Sequence, residues 1–172
     1  MTFSVMKQLL LIRHGKSAWD TPGLSDHDRT LNGRGEHDAP RMAAALKERG
    51  VSPDAIMTST AVRAVSTARL VAEGLGFSVS QIITNPDLYL ASPRAIINVV
   101  QHCDESVETL FVFGHNPGMH DAADLISNAA GVESFSTLAV ARFELDVEHW
   151  GELDARTGLL LESFSPKTPG IA

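Results

Sequence analysis

Two histidines in this chain follow apolar stretches that are typical of buried strands. The stretch Gln8–Ile12 leads into Arg13 and His14, and the stretch Thr109–Phe113 leads through one glycine into His115. In an open α/β sheet the carboxyl ends of the strands lie at one edge, and ligands bind there. The two imidazoles are therefore expected to face each other across a cleft at that edge.

A third charged group is expected at the same edge. Arg63 lies in the first turn of a predicted helix that follows the short strand Ala55–Thr58. A helix N-terminus has unpaired N–H groups and a partial positive charge, so an arginine there strengthens a site that already favours anions. A lone histidine is more often structural, and a helical arginine often forms a solvated ion pair, here with Glu73. The combination of these residues favours an anion-binding site.

The elements that would carry these residues alternate along the chain. The predicted strands are Gln8–Ile12, Ala55–Thr58, Gln81–Thr84 and Thr109–Phe113, and the predicted helices are Gly35–Arg49, Ala61–Leu75, Pro93–His102 and Met119–Ser127. This alternation predicts an α/β fold, a three-layer sandwich whose mainly parallel sheet has helices on both faces. Two later strand-like runs, Thr137–Leu145 and Gly158–Phe164, are expected to form antiparallel or edge strands.

Composition limits the classes of function. A length of 172 residues with 44% apolar content suits a single domain over residues 1–172 with one core. The net charge of −7 and the lack of a basic run argue against a nucleic-acid partner. Cys103 is the only cysteine, the N-terminus lacks a signal-peptide pattern, and no apolar stretch is long enough to cross a membrane. A cytoplasmic location without membrane contact is the expectation.

The motifs around these residues resemble those of the histidine phosphatase superfamily, which has the phosphoglycerate-mutase-like fold. The resemblance rests on three elements in the superfamily's order: Arg13-His14-Gly15, then Ser59-Thr60-Ala61-Val62-Arg63-Ala64 with Thr67-Ala68, then Gly114-His115-Asn116-Pro117. It also includes Leu31-Asn32 with Gly35, so it covers the chain from about Leu9 to Gly118. Three ordered motifs are far more specific than an isolated Arg-His-Gly.

Within the superfamily the chain looks most like the small SixA-type phosphohistidine phosphatases. Larger members have long helical insertions between the second arginine and the second histidine, whereas only the stretch Ala64–Gly114 lies between them here. A large cap insertion is therefore not expected. The resemblance implies a phosphatase that removes phosphate from a phosphohistidine on a protein. A small phosphorylated metabolite as substrate, or a phosphate-binding module without turnover, are the alternatives.

The resemblance also implies a role for each of the four central residues. Arg13 and Arg63 would bind the phosphoryl oxygens, because a guanidinium stays charged and can bind two oxygens at once. A neutral His14 would attack phosphorus while a backbone carbonyl holds its other ring nitrogen, and His115 would donate a hydrogen bond to the phosphoryl group. Neither metal nor cofactor is expected. His120 follows His115 by five residues, not by the four that place two metal ligands on one helical face.

Other side chains near the motifs have less definite roles. Larger relatives use a glutamate as general acid, and Asp87 is the nearest candidate in the corresponding stretch, although a leaving imidazole needs an acid less than an alkoxide does. Ser17 and Asn116 either donate further hydrogen bonds to the phosphoryl group or simply form turns. The segment Asp26–Arg29 is expected to be a solvated loop rather than a rim that contacts substrate. Trp19 and Trp150 are expected to pack, either fully or with one edge of the ring exposed.

Overall fold

Six strands form one mixed sheet in the computed structural model, which describes residues 5–171. In chain order the strands are β1 (Lys7–Arg13), β2 (Ala55–Thr58), β3 (Ile83–Thr84), β4 (Thr109–Gly114), β5 (Val140–Leu145) and β6 (Gly158–Phe164). Their order across the sheet is β3-β2-β4-β1-β5-β6. The first four of these are parallel to one another, and β5 and β6 are antiparallel to their neighbours. The β1 strand is therefore central and buried on both faces.

Four helices cover the two faces of the sheet: α1 (Gly33–Glu48), α2 (Val62–Leu75), α3 (Pro93–Gln101) and α4 (Gly118–Ile126). Successive residues of a strand point to opposite faces. Leu10 and Ile12 of β1 accordingly join the apolar cluster under α1 and α2, whereas Leu9 and Leu11 join the cluster under α3 and α4. This arrangement confirms the predicted three-layer α/β fold with a mainly parallel sheet.

Most predicted elements lie where the sequence places them, and two are shorter. In the stretch Gln81–Thr84 only β3 pairs with a neighbour, because the chain before it forms a 3₁₀ turn at Val79–Gln81. The run Thr137–Leu145 joins the sheet only from Val140 onward. Before that point the chain turns past the end of β1, where the backbone N–H of Leu138 donates to the carbonyls of Arg13 and His14 at 3.1 Å each.

Two close backbone approaches fix the loops at the sheet edge. Asn32 caps α1 by accepting the N–H of Gly35 at 2.9 Å, and its own N–H donates to the carbonyl of Lys16 at 3.0 Å. A side chain at Gly35 would collide with that same Lys16 carbonyl, and one at Gly118 would collide with the carbonyl of Ala91. Both glycines therefore permit loops near the strand ends to pack directly on a helix start.

Among the described residues, no helix has both the length and the apolarity needed to span a membrane.

Candidate active site

The register of two neighbouring strands brings the histidines together. In the pairing of β1 with β4, Arg13 lies opposite Gly114, so His14 and His115 are the next residues of two adjacent parallel strands. The backbone N–H of His14 donates to the carbonyl of Gly114 at 3.0 Å. The two ring centroids are 5.1 Å apart. The structure places the two imidazoles at neighbouring positions of one sheet edge, as the sequence predicts.

Hydrogen bonds fix the tautomer of His14. Its Nδ1 lies 2.7 Å from the carbonyl oxygen of Gly15, and its Nε2 lies 3.3 Å from Nε of Arg63. A guanidinium has no acceptor, so Nε2 must accept and the proton must reside on Nδ1. The N–H of Gly15 donates to Oγ1 of Thr67 at 2.9 Å, which holds the backbone on which His14 is mounted. The Nε2 lone pair of His14 is therefore directed at a positive charge.

The surroundings keep His14 neutral. Burial lowers its pKa from the usual 6.5 to about 4, and the charges of Arg63 and Arg13 act in the same direction. The hydrogen bond to the Gly15 carbonyl opposes the shift without reversing it. An imidazole with this pKa is unprotonated near neutral pH and can act as a nucleophile.

Arg63 contacts His14, His115 and Asp26 and is only 2% exposed. Besides its bond to His14, its Nη2 donates to Nδ1 of His115 at 3.2 Å and to Oδ2 of Asp26 at 3.1 Å. Its Nη1 donates to the backbone carbonyl of Asp26 at 2.6 Å. The guanidinium is thus held between two imidazoles and one carboxylate, in the first turn of α2, where sequence reasoning puts it.

His115 is also neutral, and its single N–H faces away from Arg63. Burial lowers its pKa to about 3, with further contributions from His14 and Arg63. Because its Nδ1 accepts from Arg63, its proton lies on Nε2, which is 2.8 Å from Oγ of Ser59. In this structure the N–H of His115 therefore faces Ser59, whereas the sequence leads us to expect that it donates to a phosphoryl oxygen.

Asp26 lines the pocket described below, and sequence reasoning did not place it there. Its segment was expected to be a solvated loop, yet its carboxylate lies on Arg63, accepts from Nε of Arg29 at 3.2 Å and accepts from the hydroxyl of Tyr89 at 2.5 Å. The hydrogen bond from Tyr89, followed by that from Arg63, lowers the pKa of Asp26 to about 2. The segment is solvent-exposed at Asp26, as expected, but the expectation missed its contact with the site. The loop folds back over the start of α2, where the N–H of Val62 donates to the carbonyl of His27.

A pocket of about 240 Å³ opens over this cluster. Six of the seven predicted site residues line it, namely Arg13, His14, Ser17, Arg63, His115 and Asn116. The structure thus brings them together. Nη1 of Arg13 and Nδ2 of Asn116 both donate to the carbonyl of Phe135, at 3.1 Å and 2.7 Å. Lys16 and Arg29 add positive charge to the lining, so the pocket holds four cationic side chains and the carboxylate of Asp26.

Asp87 is the predicted site residue that the structure does not bring to the pocket. It is exposed in a 3₁₀ turn, Pro86–Leu88, and its backbone N–H donates to Oδ1 of Asn85 at 2.9 Å. The next residues of this turn place Leu88 in the core and the ring of Tyr89 5.5 Å from that of His115. The carboxyl group at the pocket is that of Asp26, so we do not assign the general acid to Asp87.

Within residues 5–171 no group of three histidine, cysteine, aspartate or glutamate side chains is arranged to hold a metal ion. His120, which follows His115 on the chain, points its Nε2 at the carbonyl of Val132 at 2.6 Å.

Comparison with known proteins finds a family model and solved structures that are similar to this chain. The model of the histidine phosphatase superfamily (branch 1) matches residues 9–89. A solved structure of the protein histidine phosphatase SixA complexed with tungstate superposes with a TM-score of 0.79 at 25% identity, covering 92% of this chain and 97% of that one. The chain is similar to the histidine phosphatase superfamily over residues 9–89. Its overall structure is SixA-like.

Two relatives by sequence extend along most of the chain. An uncharacterised chloroplast protein of Arabidopsis thaliana is 29% identical over 90% of this chain and 74% of its own length. An uncharacterised protein of Mycobacterium tuberculosis is 28% identical over 91% of this chain and its entire own length. The similarity to the superfamily model, together with the SixA-like structure, supports a phosphatase activity.

Proposed function

We propose that this chain is a metal-independent phosphohistidine phosphatase that removes phosphate from a histidine of another protein. The observation that carries the proposal is the hydrogen bonding of His14, whose Nδ1 proton is donated to Gly15 and whose Nε2 lone pair faces Arg63 in the pocket. A neutral, oriented imidazole beside two arginines is the set of groups that phosphoryl transfer to a histidine requires.

The reaction has two steps. In the first, the Nε2 lone pair of His14 forms a bond to phosphorus while the bond between phosphorus and the substrate's imidazole nitrogen breaks. The leaving nitrogen keeps that electron pair and takes a proton from solvent. In the second, water forms a bond to phosphorus, the bond to Nε2 breaks, and the proton of the water passes to solvent. Inorganic phosphate and the neutral His14 result.

Arg13 and Arg63 would hold the three equatorial oxygens. Nε of Arg13 is buried and has no hydrogen-bond partner in the described part of the chain, so it can donate to an oxygen without breaking an existing bond. Nε of Arg63 would donate to a phosphoryl oxygen in place of Nε2 of His14. Ser17 and Asn116 would supply further contacts, since both line the pocket. These cations do the electrostatic work that a metal ion does in other phosphatases.

Ser59 explains how His115 could become a donor to phosphate. The hydroxyl of Ser59 accepts from the backbone N–H of Ala61 at 3.2 Å, and its own proton is free to rotate. If that proton is donated to Nε2 of His115, the imidazole proton moves to Nδ1, the atom that now faces Arg63. A phosphoryl oxygen between Arg63 and His115 would favour this second tautomer.

The acidic groups near the pocket are poor proton donors, which suits a leaving group that needs little protonation. Asp26, with its pKa near 2, is ionised at neutral pH and cannot donate a proton. The hydroxyl of Tyr89 is committed to Asp26, and that bond raises the pKa of the phenol. A sugar alkoxide needs a proton as it leaves, whereas an imidazole leaves readily with weak assistance. This set of groups therefore favours a P–N substrate over a phosphomonoester.

The shape of the site suits a protein substrate. Between α2 and β4 the chain holds only two 3₁₀ turns, β3 and α3. We take residues 1–172 as one domain without a cap lobe over the pocket, so a protein surface can reach it. We place the enzyme in the cytoplasm, since its only cysteine, Cys103, is buried and its chemistry needs no oxidising compartment.

The test compares substrates for one enzyme preparation. We expect kcat/KM for a phosphotransfer domain phosphorylated on histidine to exceed that for glucose 6-phosphate by at least about tenfold, or roughly 1.4 kcal/mol of transition-state binding. Equal or reversed values would assign the chain to the small-molecule alternative. If the protein bound phosphate but turned over neither substrate, the result would favour a phosphate-binding module without catalytic activity.

A further inference from the structure

The rim of the phosphate pocket carries an exposed tryptophan. Trp19 is 78% exposed, the highest value among the large apolar side chains of residues 5–171, although the sequence predicts that it packs. It lines the pocket together with Leu90, which is 57% exposed. A smaller cavity of about 150 Å³ beside the pocket is lined by Trp19 and by Leu24, which is 44% exposed. Two exposed apolar side chains, Trp19 and Leu90, therefore line the pocket, and a third, Leu24, lines the adjoining cavity.

The indole of Trp19 is held in place despite its exposure. The guanidinium carbon of Arg29 lies 3.4 Å from the centroid of the indole ring, and Nε of Arg29 donates to Oδ1 of Asp26 at 3.2 Å. Arg29 itself is mostly buried, with 11% of its side chain exposed. One face of the indole thus stacks on Arg29, which is hydrogen-bonded to Asp26. This contact restricts the indole, so that covering it costs less entropy than covering a side chain without such a contact.

The backbone at Leu90 is strained. Its φ of 47° lies in the left-handed region, which costs energy for a residue other than glycine. The next residue is fixed because the carbonyl of Ala91 lies against Gly118 at the start of α4. The fold therefore holds an exposed leucine at the pocket in an unfavourable conformation. Strain of this kind concentrates at functional sites.

We propose that Trp19, Leu24 and Leu90 form a docking rim that binds the apolar protein surface around the substrate's phosphohistidine. This proposal rests on the proposed function and names how the protein substrate is recognised. The phosphorus of a phosphohistidine lies about 6 Å from its own Cα atom by standard bond lengths. With that phosphorus at Nε2 of His14, the partner's backbone must lie at the mouth of the pocket, where the docking rim is.

The chemistry of the docking rim selects a protein surface over a polar metabolite. Hydroxyl groups of a sugar would lose their hydrogen bonds to water against indole and leucine side chains, and the only polar side-chain group that the docking rim offers in return is the single indole N–H of Trp19. Apolar side chains that flank a phosphohistidine would instead be stabilised by leaving water. Tryptophan and arginine are also the residues on which binding energy concentrates at protein interfaces.

The experiment measures selectivity in Trp19→Ala. Three substrates are compared: a histidine-phosphorylated phosphotransfer domain, free phosphohistidine, and phosphoramidate, whose leaving group is only ammonia. We expect the ratio of kcat/KM for the phosphoprotein to kcat/KM for phosphoramidate to fall at least about tenfold, mainly through KM. The ratio for free phosphohistidine to phosphoramidate should stay within about twofold. Trp19→Phe should restore most of the selectivity.

Control variants separate the docking rim from general surface effects. Leu90→Ala should also lower the phosphoprotein ratio, whereas Leu159→Ala should not, because Leu159 is exposed to a similar extent, 47%, on β6 and does not line the pocket. An unchanged ratio in Trp19→Ala would overturn the docking rim. An equal loss with free phosphohistidine would overturn it too, since Trp19 would then contact only the leaving ring. Failure of the wild type on the phosphoprotein would instead overturn the proposed function.

Discussion

At the scale of single residues, Arg63 determines the tautomers of both histidines. It donates to Nε2 of His14 and to Nδ1 of His115, so both imidazoles must present lone pairs to it. It also pairs with Asp26, whose carboxylate competes with any anion for the same N–H groups. The affinity of the site for phosphate therefore depends on the balance between this carboxylate and four cationic side chains.

This competition predicts the effect of Asp26→Asn. We expect the variant to bind vanadate, which mimics five-coordinate phosphorus, about threefold more tightly than the wild type. The change corresponds to about 0.7 kcal/mol, within the range for an ion pair with one exposed partner. The measurement is the inhibition constant of vanadate for both proteins.

Asp28→Asn is the matched control for that prediction. This substitution removes the same charge two residues away. The carboxylate of Asp28 contacts Ser25 and His27 rather than Arg63. Unaltered or weaker vanadate binding by Asp26→Asn would mean that the carboxylate supports the site instead of competing within it.

At the scale of elements, the start of α1 supports the loop that follows His14, the proposed nucleophile. Lys16 lies two residues after His14, and its carbonyl accepts from Asn32 while facing Gly35. We expect Gly35→Ala to destabilise the fold by about 1–3 kcal/mol, since the added methyl group overpacks this contact, and to lower kcat by displacing the loop. Urea unfolding and steady-state kinetics measure the two effects.

Gly33→Ala provides the comparison for Gly35→Ala. A side chain at Gly33 would meet no atom within 4 Å, and alanine favours a helix more than glycine does. The control should therefore be neutral or slightly stabilising. Equal behaviour of the two variants would show that the close approach to Lys16 does not matter.

The sequence could predict the parts of the site that regular elements position. Arg13, His14 and His115 follow strands with clear apolar runs, and Arg63 begins a helix with clear periodicity. Parallel strands end at one edge, so their convergence follows from the fold. The remaining contacts join loops. Tyr89 and Asp26 are 63 residues apart, and no spacing in the sequence encodes the bond between them.

Loop side chains account for the wrong expectations as well. The position of Asp87 in the sequence suggested a general acid, but the 3₁₀ turn that contains it leaves its side chain exposed. Trp150 and Trp19 are the same residue type in different surroundings. Trp150 is 0% exposed in the core, whereas Trp19 stacks on Arg29 at the surface. Residue type alone does not distinguish the two.

At the scale of the whole molecule, the buried histidines make stability depend on pH. The folded chain lowers the pKa of His14 to about 4 and that of His115 to about 3, so between those values and 6.5 the unfolded chain binds more protons. The contribution of both histidines is complete above pH 6.5 and is lost as the pH falls. We expect a loss of about 2 kcal/mol for each histidine between pH 7 and pH 5.

The free energy of unfolding, measured by urea titration at pH 7 and pH 5, tests this dependence. His115→Asn removes one of the two groups, so its stability should change less over the same range. A variant with the same pH dependence as the wild type would show that His115 is not held neutral in the fold.

The central claim is that His14 carries the phosphoryl group during turnover. The most direct measurement is rapid acid-free quenching of the enzyme during hydrolysis of a phosphohistidine-bearing protein, followed by mass analysis of the peptide that contains His14. We predict a phosphate on His14 that is stable in base and labile in acid, and we predict its absence, together with the loss of turnover, in a folded His14→Ala variant. Appreciable turnover by that variant, or phosphate on another residue, would contradict the account.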